Sequence, residues 1–170
     1  MTFLIVAIFV VLALGAMMSV IKAIGPARRP SLPFRKCDYL FTAAERSFYE
    51  VLRSVTQDRL HVFPKVRLVD LVYLPGGTEN RQAHMNRVMS KHVDFVLCDL
   101  QAVTPVLVIE LDDSSHGRDD RRARDEFVDG VLSAAGLPIL HVAAKQSYAP
   151  KELAELIEAQ LQHPPTLASA

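Results

Sequence analysis

The sequence predicts an α/β domain preceded by one transmembrane helix, and three observations carry that prediction. Residues 3–21 form a run without charge or proline. Three short, β-branched apolar runs follow later, at Val93–Cys98, Val106–Leu111 and Pro138–Val142. Between and around them lie segments whose apolar residues recur at helical spacing, around Phe48 and Leu52 and around Leu153 and Ile157. Strands alternating with amphipathic helices indicate a sheet covered by helices.

The first run is about as long as a helix must be to cross a bilayer's hydrocarbon core. It shows no polar face at the helical period, as a soluble core helix would. A cleaved secretory signal is the competing reading, and Ala13 and Gly15 imitate a cleavage site. Against it, no basic region precedes the run, and the run exceeds the usual length of a signal's apolar core. Lys22, Arg28, Arg29, Arg35 and Lys36 follow, with no acid anywhere in residues 1–36. Basic flanks stay on the cytoplasmic side. The expectation is a single-pass protein of the cell (inner) membrane, bound to membrane lipid through this helix, with its domain in the cytoplasm. Pro26 and Pro30 interrupt any continuing helix. The chain is thus read as an anchor (1–24), a basic proline-containing linker (25–39), a domain (40–162) and a disordered tail (163–170).

Of the 19 basic side chains five fall in residues 1–36, leaving 14 against 19 acidic ones in residues 37–170. A net-acidic domain is not built as a general nucleic-acid binder, although a local basic patch or a metal can still meet phosphate. Cys37 and Cys98 form no CxxC pattern, which points away from zinc or a disulfide framework.

Within the domain, Thr42 and Glu45 have the spacing of a capping box, opening a helix that carries Phe48, Leu52 and Val55 to about Ser54. His61–Val66 reads as an edge strand because it contains Pro64. Leu68–Leu74 fits a short helix or a strand equally, and Pro75–His84 is a polar loop. Val93–Cys98 and Val106–Leu111 pair as a hairpin across Asp99–Pro105. A charged helix runs from about Asp119 to Ala135 and ends at Gly136. Pro138–Val142 is a buried strand. A last helix from Pro150 places Leu153, Leu156, Ile157 and Leu161 on one face.

Acids interrupt the hairpin. Glu110 and Asp112 are two apart and share a face of their strand. Centring the hairpin on Ala102 sets Asp94 opposite Glu110, and cross-strand partners also share a face. Crowded carboxylates repel, and a divalent cation with a preference for hard oxygen ligands relieves that repulsion. Asp94, Glu110 and Asp112 are therefore the candidate ligands of Mg2+ or Mn2+. Solvent-exposed strand ends are the alternative.

The strings VDFVLCD and VLVIELDDSSH, with RARDEF and AAGLPIL after them, resemble a bacterial family, domain of unknown function 2726, over about Leu40–Leu156. That family is similar to the PD-(D/E)xK, restriction-endonuclease-like nuclease superfamily, in the very-short-patch-repair-like branch with an E-x-D-x-x-x-H signature. The resemblance implies an αβββαβ core with 68–92 inserted. Asp94 takes the place of the motif Asp and Glu110 that of the (D/E), while Asp112 stands where most of the superfamily has Lys. The implied catalytic set is Asp94, Glu110, Asp112 and His116, with His116 as base or phosphate contact. Glu45 matches a first-helix acid of such sites, a position the capping box explains equally. Lys65 is a candidate substitute for the missing lysine. Arg118, Arg121, Arg122 and Arg124 either meet phosphates or form a solvated face with Asp119, Asp120 and Asp125.

The resemblance implies metal-dependent phosphodiester hydrolysis of DNA or RNA by a membrane-anchored enzyme. The alternative is an inactive nuclease-fold module that binds nucleic acid or a protein partner at the membrane. The acidic balance and the missing lysine favour the second, and the acid trio with His116 favours the first.

Overall fold

The computed structural model describes residues 1–23, 32–112 and 119–162, those at 21, 23 and 119–124 by backbone alone. Pro26, Pro30, Asp113, His116, Arg118 and the 163–170 tail lie outside the described residues, as do the side chains of Arg121, Arg122 and Arg124. The chain divides into two compact units, Met1–Asp38 and Tyr39–Ala170.

In the first unit, α1 (Thr2–Ala23) is a single helix with Lys22 in its last turn. Its Thr2–Val20 stretch has a mean hydropathy of 2.8 and is long and apolar enough to cross a membrane, a test that signal sequences also meet. Phe3, Leu4, Phe9 and Leu12 are exposed, whereas a soluble core helix would bury such residues.

The second unit is a mixed α/β domain. Its elements are α2 (Ala43–Thr56), β1 (Leu60–Arg67), a 3-10 turn (Leu68–Asp70), α3 (Arg81–Met89), β2 (His92–Asp99) and β3 (Pro105–Asp112). After them come α4 (Asp119–Ala134), β4 (Ile139–Ala143) and α5 (Pro150–Gln162). The capping box is present: the Glu45 N–H donates to the Thr42 hydroxyl, and the Thr42 N–H donates to Glu45 Oε2 at 2.8 Å. Gly136, at φ +70°, closes α4. There the Leu137 N–H donates to Leu132 O and the Gly136 N–H to Ser133 O, the paired bonds of a Schellman end. The Asp99 carboxylate accepts the N–H groups of Gln101, Ala102 and Thr104, which fixes the β2–β3 connection.

The sheet order is β1-β2-β3-β4, so β1 is an edge strand, where Pro64 costs no central ladder bond. The first two pairings are antiparallel, and β3 pairs with β4 in parallel. On one face, Phe95, Leu97, Leu107, Ile109, Leu140 and Val142 pack against Phe48 and Leu52 of α2 and Leu153 and Ile157 of α5. On the other, Val96, Cys98 and Val108 pack against Leu68, Val88 of α3, and Val128 and Leu132 of α4.

Three expectations change. The region expected to be a polar loop contains the start of α3, whose sparse apolar positions give little helical periodicity. Its helicity rests on packing, with Val88 in the core and the Arg87 guanidinium 3.9 Å above the Phe127 ring. Only Leu68–Asp70 of the ambiguous Leu68–Leu74 segment is regular, as a 3-10 turn. Leu156 is 48% exposed, because the sheet-facing stripe of α5 is centred between Leu153 and Ile157 and leaves it on the flank.

Candidate functional site

The pairs Pro64↔Phe95 and Val66↔Val93 set Lys65 opposite Asp94. Side chains two apart on a strand should share a face. Here Val62 packs with the α2/α5 layer and Val66 with the α3/α4 layer, and Phe95 and Val93 are divided in the same way. The alternation therefore breaks on both strands at this pair. Lys65 adopts φ +54°, a left-handed conformation costly for a side chain with a Cβ. In return its ammonium reaches Glu45 at the start of α2 and lies 3.6 Å from Asp94 Oδ1. Asp94 Oδ2 accepts the Leu111 N–H at 3.0 Å, tying β2 to β3.

The cluster is largely shielded, with Glu45, Asp94 and Lys65 side chains 13%, 16% and 27% exposed. Burial opposes the charge on Glu45, but the Lys65 ammonium and the Thr42 N–H outweigh it, so its carboxyl sits below its ordinary value. Burial likewise opposes the Lys65 charge, and Glu45 with Asp94 more than offsets it, which raises the ammonium pKa.

A second cluster lies at the β3–β4 pairing. Glu110 is in register with His141, and Asp112 with Ala143. His141 Nδ1 is 3.1 Å from Asp112 Oδ2, and its Nε2 is 3.2 Å from Asp129 Oδ1 on α4. Glu110, Asp112, Asp125, Asp129 and His141 line one small cavity with Val128. Burial lowers the His141 pKa, but the two carboxylates reverse the sign and raise it. With both ring nitrogens facing acceptors, the doubly protonated ring satisfies every contact.

A family model described as "Protein of unknown function (DUF2726)" matches residues 37–161. The chain belongs to this family. No curated protein and no solved structure matches it.

In this DUF2726 domain the β2–β3 register runs from Leu97↔Leu107 to Phe95↔Ile109, the alignment that centring on Ala102 gives, with an irregularity between Leu97 and Cys98. Asp94 follows at the point where the alternation of β2 breaks. The candidate acids engage different partners. Asp94 turns to Lys65 and the Leu111 N–H, and Asp112 turns to His141. Among the described residues, no group of three or more His, Cys, Asp or Glu is arranged to hold a metal ion. Glu110 is in register with His141 and lines the cavity of the second cluster.

Neither His141 nor Asp129 falls in a motif of the sequence. One signal was present: in PILHV, His141 is the only polar residue, and strand alternation sets it opposite in facing to Leu140 and Val142.

Proposed function

We propose that this DUF2726 domain is a membrane-anchored, metal-dependent nuclease facing the cytoplasm, hydrolysing phosphodiester bonds in nucleic acid. One observation carries the reading: the Lys65 ammonium stands against Asp94, one strand away from Glu110. A cation beside Asp94 would fill the role left open where Asp112 occupies the motif lysine's place. The order α2, β1, β2, β3, α4, β4, with the 3-10 turn and α3 inserted between β1 and β2, supports a restriction-endonuclease-like core.

Asp94 and Glu110 are the acids that would hold Mg2+ or Mn2+. Two carboxylates suit magnesium, which keeps several water ligands and rarely needs a full protein cage. When bound, the ion polarises the phosphoryl group and acidifies a water. The chain's own groups do the rest. Lys65 offsets charge building on the phosphate oxygens. Glu45 holds the ammonium in place, and the Leu111 N–H fixes the Asp94 carboxylate. His141 ties Asp112 to α4.

The experiment is cleavage of DNA and RNA by the full-length protein with Mg2+, Mn2+ or a chelator. Metal-dependent cleavage lost in Asp94→Asn, Glu110→Gln and Lys65→Met supports the enzyme. The second reading, a non-catalytic module binding nucleic acid or a protein partner at the membrane, is favoured by the engagement of Asp112 with His141. Binding of nucleic acid without cleavage under every metal condition would establish it.

A further inference from the structure

We propose that the Leu32–Lys36 segment is a membrane-contact surface whose partner is the anionic headgroup layer of a lipid bilayer. Such a contact rests on α1 spanning a membrane and is independent of any nuclease activity.

Leu32 and Phe34 are 74% and 81% exposed, in a stretch without helix or strand. Arg35 and Lys36 follow directly and are also exposed. An aliphatic and an aromatic side chain beside two cations suit a headgroup interface. The apolar groups reach the acyl boundary while the cations meet lipid phosphate.

Chain length holds the segment near that layer. From Ala23, the end of α1, nine residue steps lead to Leu32. Even fully extended they span at most about 30 Å. With Thr2–Val20 across the bilayer, the segment cannot leave the vicinity of the surface. A tethered group is present at high effective concentration, so weak contacts are enough to hold it. Charge assigns the same partner, since residues 1–36 carry five basic side chains and no acid. The remaining chain, with 14 basic against 19 acidic residues, has no such net attraction to anionic lipid.

The chain contains no Trp, so Phe34→Trp provides a single indole reporter. Full-length protein would be reconstituted into phosphatidylcholine vesicles with and without phosphatidylglycerol. The expected result is an emission maximum shifted to shorter wavelength only with phosphatidylglycerol, reversed by high salt and by Arg35→Glu with Lys36→Glu. A water-like maximum in both vesicles overturns the proposal, as does a shift indifferent to lipid charge and salt. Indole itself favours interfaces, so a second readout keeps Phe34. Cys37 is exposed and Cys98 buried, and soluble maleimide should label Cys37 several-fold more slowly in phosphatidylglycerol vesicles. Equal rates overturn the contact. Release of the chain by alkaline carbonate overturns the span and the contact together, whereas retention with a water-exposed indole overturns the contact alone.

Discussion

Lys65 and Asp94 face each other across the β1–β2 pairing, the lysine in a left-handed backbone conformation with its ammonium 3.6 Å from Asp94 Oδ1. Backbone cost at that position and charge compensation at its side chain are thus separable. Lys65→Met should destabilise the domain by about 1–3 kcal/mol, because Glu45 and Asp94 lose their shared cation in a shielded site. Lys65→Gly should be more stable than Lys65→Ala by about 1–2 kcal/mol, since glycine accepts positive φ freely. Denaturant unfolding of the three variants checks both statements. Equal stability of the glycine and alanine variants would count against a strained backbone.

His141 sets a pH dependence of definite sign. Its folded pKa is raised above the ordinary 6.5 by Asp112 and Asp129, against the opposing effect of burial. The stabilisation is therefore complete below about pH 6.5 and is lost as pH rises through the folded value. Melting temperature should fall across that window in the wild type, and the slope should flatten in Asp129→Asn. A wild-type slope unchanged in His141→Gln would show that other groups set it.

Metal response follows from the proposed roles of Asp94 and Glu110. Mg2+ or Mn2+ binding to the folded state should raise the melting temperature as concentration increases. Asp94→Asn and Glu110→Gln should abolish the rise, and Asp70→Asn, whose carboxylate pairs with Arg67 elsewhere, should retain it. Asparagine at 94 keeps an acceptor for the Leu111 N–H, so the comparison isolates charge. A wild-type protein indifferent to both ions would argue against the enzyme.

Thr42→Ala removes the hydroxyl that caps α2 and should cost about 1 kcal/mol. Glu45 serves both the cap and Lys65, so the same change should also lower the effect of Lys65→Met in a double-mutant cycle. Strict additivity would mean the cap does not position Glu45.

Topology is tested by a reporter fused at the C-terminus. Activity is expected only from a reporter that works in the cytoplasm. Activity of a periplasm-dependent reporter would invert the orientation, and a processed form lacking α1 would identify a signal sequence.

The parts of the domain visible in the sequence are those governed by neighbours along the chain. The Thr42–Glu45 box, the Gly136 stop and the centring of the hairpin on Ala102 each depend on spacing within a few residues or on one turn. The site depends on more distant relationships. Nothing local marks Lys65 for positive φ, a conformation usually left to glycine or asparagine; pairing with Asp94 and Glu45 sustains it. His141 meets Asp112 and Asp129 only after β4 docks beside β3 and α4 packs over them. For α3, a short run with Met85 and Val88 as its inward residues, packing supplies what periodicity lacks.

The parallel β3–β4 pairing bears on how the chain survives its own synthesis. Val106–Leu111 is flanked on both sides in the finished sheet, yet its second neighbour starts only at Ile139, beyond the whole of α4. A nascent or truncated chain ending inside α4 therefore presents an apolar, β-branched strand with an open hydrogen-bonding edge. Such edges pair readily with one another and seed aggregates. Premature stops before β4 should consequently yield insoluble or degraded protein rather than a smaller working domain, and delays in translation across α4 would lengthen the hazardous interval.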